Sequence, residues 1–328
     1  MRPRGGYIGF NRVPAAAAVN SAASGVWTLR EAEALKRAGT WPQVFYNPSS
    51  LTGLQLWLDA ADASTLYDAT TGGSLVAADG TVARWEDKSG NARHATQGTA
   101  ANRPARRSSV VNSLDALDFD GSNDGLFVNS LSSMFSGVNK AFTVIAVART
   151  DVTNSTQDCL SAAKDDNNDE NVRAVWNNGS QKLQIAREEG VGASTTKSVS
   201  GSTSLGTALK VAAWTFDGTN GRVFLNKTSD GTAANIAHAG DIVIDRVAVG
   251  FLPRLIPAVY FNGYICEVLV YDTAISDVSR NAAEDYLIAK WGMRRDGRAR
   301  LALVVAAPAR ARGRAAGRPG GDGEAADV

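Results

Sequence analysis

Residues 261–292, FNGYICEVLVYDTAISDVSRNAAEDYLIAKWG, decide the fold, because they predict one long strand that runs directly into one helix. From Tyr264 to Tyr271 the residues are apolar on both alternating faces except at Glu267. This pattern of Val, Ile and Tyr is typical of a strand that is buried on both sides of its sheet. We therefore predict a central strand here.

The helix that follows has a start signal, an apolar stripe and a stop signal. Ser276 or Asp277 is suited to cap its first turn, and Trp291 with Gly292 marks its end. The stripe is predicted to contain Val278, Ala282, Ala283, Tyr286 and Leu287. The helix is thus expected to lie on the surface of the sheet.

Composition bounds what else the chain contains. Its 328 residues are 44% hydrophobic and 20% charged, enough for one large β domain with flanking segments. No apolar run approaches the roughly 20 residues of a membrane helix, so no membrane insertion is expected. The longest apolar run near the N-terminus, residues 15–19, is shorter than the roughly 7–15 residues of a secretory signal core.

Cysteine usage and charge exclude further classes. Cys159 and Cys266 each lie in an apolar, strand-like run, which predicts two free, buried thiols. The net charge is +1, but residues 294–328 carry eight arginines against four acidic residues, so the rest of the chain is net −3. The tail has no aromatic residue to stack on bases, and we expect no nucleic-acid partner.

Residues 1–50 lack the β pattern and are predicted to be a leader with a short helix over residues 28–38. Thr28 is its expected cap and Glu31 completes a capping box. Trp27 and Trp41 flank this helix, which is too short to bury them, so we expect them to attach the chain to a partner surface. The alternative is that both tryptophans fold back onto the body of the protein.

The leader resembles a short N-terminal module of tailed-phage virion structural proteins. The resemblance rests on a Gly-rich start followed by SGVWTL, a charged helix and AGTWP. It implies that the protein is located on the virion and that its partners are other virion proteins. Other copies of the same chain are a further expected partner, as a homo-oligomer. An extracellular or cell-surface location is the alternative.

From Leu54 the hydrophobic period changes to two, which predicts a β domain over residues 51–293. Asn-Gly and Asp-Gly pairs between the strands indicate turns. Many short strands with few helices are typical of a sandwich. The further candidate strands cover residues 82–86, 114–119, 142–148, 172–176, 182–187, 211–216, 222–225 and 242–249.

The β domain resembles the laminin G-like, concanavalin A-like lectin/glucanase jelly rolls. The elements stand in that order: LQLWLDAAD, RWEDKSGNARHA, ALDFDGSNDGL, FTVIAVART, AWTFDGTNGRVFLN and the long strand with its helix. The resemblance implies an all-β, antiparallel β-sandwich with one C-terminal helix. It specifies a fold and no single function. Residues 294–328, rich in Arg, Ala and Gly, are predicted to be a disordered tail.

Catalytic patterns are weak. Related β-glucanases carry E-x-D-x-x-E on one strand, and this sequence has no Glu followed two positions later by Asp. A carboxylate pair assembled from distant strands stays open as an alternative. His94 is expected to hydrogen-bond its own DKSGNARHA turn, and neither His94 nor His238 lies near a nucleophile elbow.

Calcium is the cofactor that one loop predicts. Residues 118–125, DFDGSNDG, offer the oxygen atoms of Asp118, Asp120, Asn123 and Asp124. A turn in which the Asp and Asn side chains bond their own backbone is the alternative. The acidic run at residues 165–170 is interpreted as a solvated hairpin loop, because Glu170 stands where an EF-hand requires Gly.

A sugar site requires an aromatic face and planar polar groups. The candidate residues are Trp176, Asn177, Asn178, Asp166 and Asn168. A core position is the alternative for Trp176, and it is the expected position for Trp57, Trp85 and Trp214. The sequence as a whole predicts a non-enzymatic virion domain that binds a surface glycan or another virion protein. A glycoside hydrolase of the same fold and a purely architectural domain are the alternatives.

Overall fold

The computed structural model describes residues 47–190 and 195–293, together with Arg30 and Glu33. Arg30 and Glu33 are helical and exposed, in the stretch where the leader helix is predicted. The remainder of the predicted leader helix, Trp27, Trp41 and the predicted tail lie outside the described residues.

The predicted central strand is confirmed as β18, Asn262–Tyr271. The first half of β18 pairs with β6, Leu114–Asp120, and its second half pairs with β1, Leu54–Asp59. Its other edge pairs along its length with β8, Phe142–Thr150. β18 is therefore an interior strand of its sheet, and its two faces are buried because one packs into the main core and the other into a second hydrophobic cluster.

Within the described residues, two nine-stranded antiparallel sheets stack as a jelly-roll sandwich. Besides β1, β6, β8 and β18, sheet A contains β5 Ala105–Val111, β13 Lys210–Phe216, β14 Asn220–Leu225, β15 Thr228–Ser229 and β16 Ala234–Asn235. Sheet B consists of β2 Leu66–Tyr67, β3 Arg84–Trp85, β4 Ala95–Thr96, β7 Leu126–Val128, β9 Thr156–Ala163, β10 Asn171–Asn178, β11 Gln184–Glu189, β12 Thr195–Ser200 and β17 Arg246–Val249.

The strand order of sheet A is β15-β14-β13-β8-β18-β6-β5, with β1 on β18 and β16 on β14. The strand order of sheet B is β12-β11-β10-β9-β17-β7-β4-β3-β2.

The main core lies between the sheets and contains the rings of Trp85, Trp176 and Trp214. The prediction of a core position for Trp57 is wrong, because its side chain is half-buried on the outer face of sheet A. A register shift after Leu54 places Leu56 and Leu58 in the inter-sheet core and Leu54 on the outer face.

The outer face of sheet A is covered by helix α2, Asp277–Lys290. Ser276 caps this helix by accepting a hydrogen bond from the Ser279 amide, as predicted. Gly292, at a φ of 66°, ends it with the paired bonds of a Schellman motif. Val278 is 81% exposed, so its place in the predicted apolar stripe is wrong.

Three short 3₁₀ turns, Pro48–Ser50, Ala63–Thr65 and Ala100–Asn102, and one short helix, α1 Ser132–Phe135, complete the described elements. None of the helices in this part of the chain combines the length and the apolar character that crossing a bilayer requires. Cys159 lies in the inter-sheet core and Cys266 under α2, and both are free and buried, as predicted.

Candidate functional site

The predicted sugar-stacking residue, Trp176, lies inside the core. Its side chain is 1% exposed, and its ring centroid lies 6.1 Å from that of Trp214 and 6.2 Å from that of Phe261. The reason is strand alternation, since Val172, Ala174 and Trp176 all point from β10 toward sheet A. The prediction that Trp176 offers its face to a sugar is therefore wrong.

The four polar candidates do not meet in one site either. Asn177 and Asn178 lie at the end of β10, whereas Asp166 and Asn168 lie in the loop before its start. An eight-residue strand separates the two pairs, which is about 25 Å of extended chain. The structure thus contradicts the grouping of these residues as one ligand-binding site.

Each of these polar side chains also has a partner within the protein. Asn177 Oδ1 accepts from the amides of Gly179 and Gln181 at 2.9 and 3.0 Å. Asn178 Oδ1 accepts from the Ser180 amide at 3.0 Å, and Asn168 Oδ1 accepts from the Ile256 amide at 3.0 Å. Asp166 lies 3.5 Å from Lys164 Nζ. These hydrogen bonds and this ion pair stabilise the loops at the two ends of β10.

The loop predicted to bind calcium is held by its own side chains. Asp120 Oδ1 accepts from the amides of Ser122, Asn123 and Asp124 at 2.8, 3.2 and 3.3 Å. Asp118 pairs with Arg107 at 2.9 Å. Burial raises the pKa of Asp124 to about 6, and its Oδ2 accepts from the Asp120 amide.

These contacts fit the alternative interpretation, a turn closed by its own backbone bonds. Over residues 47–190 and 195–293, no group of three or more His, Cys, Asp or Glu side chains is arranged to hold a metal ion. Calcium binding by Asp118, Asp120, Asn123 and Asp124 stays a prediction without support from this geometry.

A surface pocket of about 370 Å³ lies at the edge of the sandwich, where β1 begins, β18 ends and α1 leads into β8. It draws residues from four separate parts of the chain. Its lining consists of Gln55, Arg93, Ser133, Met134, Lys140, Ala141 and Asp272.

The turn over residues 87–94 contributes Arg93 to this pocket and is hydrogen-bonded to β1. Asp87 Oδ1 accepts from the Trp57 amide at 2.9 Å, and Asn91 Nδ2 donates to the Leu54 carbonyl at 3.0 Å. His94 Nδ1 accepts from the Asp87 amide at 3.1 Å. The prediction that His94 hydrogen-bonds its own turn is confirmed, and this turn carries Arg93 into the pocket.

Three planar groups form a chain of hydrogen bonds along the pocket. Arg93 Nη1 donates to both the backbone and the side-chain oxygen of Gln55, at 3.3 Å for the backbone carbonyl. Gln55 Nε2 donates to Asp272 Oδ2 at 2.7 Å. A Cβ on Gly53, which has a φ of 89°, would lie 2.6 Å from Asp272 Oδ1, so glycine makes room for this carboxylate.

The remaining lining residues differ in character. Lys140 is exposed, and its Nζ donates to the Ser133 carbonyl at 2.9 Å. Met134 is buried and Ala141 is half-buried, and these two offer apolar surface. The pocket therefore combines a guanidinium, an amide, a carboxylate and an ammonium group with a small apolar area.

A pair of carboxylates from distant strands does exist, but it lies under helix α2. Asp59 and Glu267 are directly opposed across β1 and β18, at 4% and 0% exposure. Glu267 accepts from Trp57 Nε1, Tyr286 OH, Lys290 Nζ and Trp291 Nε1 at 2.7–3.0 Å. Asp59 accepts from Lys290 Nζ at 2.5 Å and from Lys88 Nζ at 2.8 Å.

This buried cluster is suited to holding the helix on the sheet. Each carboxylate oxygen of the pair accepts at least one hydrogen bond within the protein. Burial raises the pKa of Glu267, Asp59 raises it further, and Lys290 opposes both effects. Because the helix covers the pair, it does not face a substrate.

Comparison with known proteins gives the same fold. Residues 120–278 match the family model described as the concanavalin A-like lectin/glucanases superfamily. The sandwich has the concanavalin A-like fold. A search of curated proteins found no match to the chain.

Several solved structures are similar to this chain at low identity. Domain 4 of AbnA, a GH43 extracellular arabinanase from Geobacillus stearothermophilus in complex with arabinotriose, has 14% identity and a TM-score of 0.47, covering 70% of this chain and 96% of that one. The binding domain of botulinum neurotoxin serotype D has 12% identity and a TM-score of 0.48, covering 72% and 51%. The CBM40 of a Ruminococcus gnavus IT-sialidase, bound to α2,6 sialyllactose, has 19% identity and a TM-score of 0.38, covering 44% and 82%.

The sequence reasoning missed the pocket residues because their proximity is long-range. Gln55 and Asp272 are 217 positions apart and meet only because β1 pairs with the end of β18. Gln55, Arg93 and Asp272 do stand in motifs of the concanavalin A-like resemblance, LQLWLDAAD, RWEDKSGNARHA and the stretch over residues 261–292. A signal was thus present for three of the residues, but the sequence has none for Lys140.

Proposed function

We propose that this concanavalin A-like domain is a non-catalytic glycan-binding domain and that its ligand lies in the pocket lined by Gln55, Arg93 and Asp272. The observation that carries the proposal is the convergence of three planar polar groups beside the apolar surface of Met134. A volume of about 370 Å³ lies within the usual range of small-ligand pockets, about 300–1,000 Å³.

The chemistry of the pocket fits the hydroxyl groups of a sugar. Each hydroxyl group both donates and accepts, so it requires acceptors such as Asp272 and donors such as Arg93 and Lys140. Gln55 supplies one of each, and its orientation is fixed by its bonds to Arg93 and Asp272. The side chains are thus held in place before a ligand binds, which lowers the entropy cost of binding.

The same geometry supports binding without hydrolysis. Of the described residues that line the pocket, Asp272 alone carries a carboxylate, whereas most glycosidases use two on either side of the scissile bond. The Asp59–Glu267 pair has its oxygens bonded under α2. We expect no release of reducing sugar from β-glucans. Release that is lost on changing one specific carboxylate would favour the alternative, a glycoside hydrolase.

A glycan array probed with the full chain tests the proposal, using Ser133→Trp and Ser198→Trp. Ser133 is exposed and lines the pocket, so an indole ring there obstructs it without changing charge. Ser198 is exposed on β12 of sheet B, away from the pocket, and is the matched control. We expect the parent and Ser198→Trp to bind the same glycans and Ser133→Trp to lose them.

Two results would contradict the proposal. Loss of binding in Ser198→Trp alone would place the ligand on the face of sheet B. No glycan bound by the parent would favour a purely architectural domain. Equal thermal melting of all three proteins is the folding control, because both substitutions change exposed residues.

The resemblance of the leader to a phage virion module supports a further part of the proposal, that the domain is displayed on a virion. Trp27 and Trp41 are the proposed attachment residues, and burial of both rings on a partner contributes about 3–6 kcal/mol. Replacing both with Ala is expected to leave thermal melting unchanged and to abolish incorporation into particles or oligomers. Lowered melting with intact assembly would show that the two tryptophans stabilise the body instead.

A further inference from the structure

We propose that the sugar bound in this pocket is anionic, with its acidic group recognised by Arg93 and Lys140. This inference rests on the proposed function of the pocket and adds the chemical class of the ligand. It follows from the charges of the lining residues and from the partners that those charges have.

The two cations of the pocket have neutral partners. Arg93 Nη1 donates to the two oxygen atoms of Gln55, which are a carbonyl and an amide. Lys140 Nζ donates to the backbone carbonyl of Ser133. A neutral acceptor satisfies a hydrogen bond but does not neutralise the charge of the donor, so both charges remain available to an anion.

Many other basic side chains of the domain have carboxylate partners, although Arg103, Arg187, Lys197 and Arg254 donate to neutral oxygen atoms, as the pocket cations do. Arg173 forms two parallel bonds to Asp158, each of 2.8 Å. Lys88 contacts Asp59 and Asp62, each at 2.8 Å. Further ion pairs join Arg106 to Asp115, Arg107 to Asp118, and Lys290 to Glu267. Arg93 and Lys140 differ from these ion pairs in having neutral partners, and they differ from the other cations with neutral partners in lining the same pocket.

Asp272 offsets only part of this positive charge. Its Oδ2 accepts from Gln55 Nε2 at 2.7 Å, and its Oδ1 lies against Gly53. Arg93 and Lys140 together carry two positive charges against the one negative charge of Asp272, so the lining is net +1. A neutral sugar leaves this charge unbalanced, whereas a carboxylate or sulfate group neutralises it.

The two cations recognise an anion in different ways. A guanidinium presents its donors as a planar fork that matches two oxygen atoms of a carboxylate or sulfate group. An ammonium group acts as a compact charge with no preferred partner plane. Because Lys140 is exposed and Arg93 is half-buried, we expect Arg93 to fix the orientation of the acidic group and Lys140 to add attraction.

The test measures binding of three probes to the full chain by calorimetry. The probes are an oligogalacturonate, the same oligomer with its carboxylates methyl-esterified, and a neutral oligomer carrying sulfate groups. We expect the oligogalacturonate to bind about 10-fold more tightly than its ester, and this preference to shrink as salt is raised. Tighter binding of the sulfated oligomer would identify sulfate as the acidic group.

Charge variants assign the effect to the pocket. We expect Lys140→Gln to weaken oligogalacturonate binding about 3- to 10-fold, and Arg93→Gln to weaken it about 10-fold or more. Lys182→Gln, outside the pocket lining, is the matched control and should leave affinity unchanged. Asp272→Asn removes the opposing charge, so we expect it to increase the ratio of the affinity for the acid to the affinity for its ester.

The outcomes separate this inference from the proposed function. Equal affinity for the acid and its ester, with binding abolished by Ser133→Trp, would overturn the anionic preference and retain the glycan pocket. Acid-selective binding that Lys140→Gln and Arg93→Gln leave unchanged would overturn the inference, since the anion would then bind elsewhere. Failure of all probes and of the glycan array would overturn both.

Discussion

Replacing Lys290 with Met should destabilise the domain strongly, because Lys290 is the cation that contacts both buried carboxylates. Its Nζ lies 2.5 Å from Asp59 Oδ1 and 2.7 Å from Glu267 Oε2, and these two residues are 4% and 0% exposed. Removing one partner of a buried ion pair costs about 3–5 kcal/mol, since the remaining charge is left uncompensated. That cost is a large part of the about 5–15 kcal/mol that stabilises a typical domain.

The cost of Lys290→Met should depend on pH. The pKa of Glu267 is already raised by burial and by Asp59, and Lys290 opposes this rise, so its removal raises the pKa further. A carboxyl group with a folded-state pKa above its unfolded-state pKa binds its proton more tightly in the folded state. The contribution of such a group to stability is therefore present at low pH and is lost as the pH rises through the folded pKa. We expect the full destabilisation near pH 8 and a smaller one near pH 5.

Urea denaturation of the parent and the variant at both pH values measures this effect. Lys227→Met is the control. Lys227 contacts helix α2 through Asp285, at 2.6 Å, and the two side chains are 25% and 40% exposed. Exposed pairs of this kind contribute about 0–1 kcal/mol. A loss in Lys290→Met no larger than in the control at pH 8, or the same loss at both pH values, would refute the reasoning.

Three further predictions concern stability. Leu269→Asp places a charge at a fully buried position of β18, so we expect loss of soluble, cooperatively melting protein. The control Val278→Asp, at an 81% exposed position, should be tolerated. A Leu269→Asp protein that melts like the parent would contradict the central place of β18. Asp124→Asn removes a buried carboxyl group whose pKa is about 6, and that group must ionise in the folded protein at high pH. The substitution should therefore increase the free energy of unfolding by about 1–3 kcal/mol near pH 8 and leave it unchanged near pH 4, as urea denaturation can check. A gain that does not vary with pH would contradict this. Deleting residues 294–328 should leave the melting temperature unchanged, because α2 and its Schellman motif are complete by Met293; loss of the cooperative transition would show that the tail is required.

Local pattern was sufficient for the elements that bury both faces. The run from Tyr264 to Tyr271 is apolar at nearly every position, and it forms the last eight of the ten residues of β18. Strands that carry polar residues escaped the same reasoning: Ala105–Val111 and Thr195–Ser200 have exposed positions, and Thr156–Ala163 buries polar side chains. The predicted strand over residues 242–249 is strand only at Arg246–Val249.

The direction of a side chain was harder to predict than its element. Trp176 belongs to a predicted strand, but whether it points into or out of the sandwich depends on the register of that strand. Val278 shows the same difficulty at the start of α2, where the orientation of the helix on sheet A leaves it exposed. The apolar character of these residues was evident in the sequence, and their burial was decided by the tertiary fold.

The pocket was the least predictable feature, because it depends on pairings between distant strands. Arg93 reaches Gln55 only because the 87–94 turn is fastened to β1. Asp272 reaches the same side chain only because β18 ends beside the start of β1. These contacts join parts of the chain that no local pattern relates.

The most direct test of glycan binding in the pocket uses the methionine methyl groups of the full chain, labelled with ¹³C. The chain has three methionines. Met134 lines the pocket, and Met293 packs against the hydrophobic residues between sheet A and α2. The Met134→Leu variant assigns the pocket signal. On titration with a glycan that binds the parent on the array, we predict that the Met134 methyl signal shifts in proportion to saturation and that the Met293 signal does not move. A saturating glycan that leaves the Met134 signal unchanged would contradict the account.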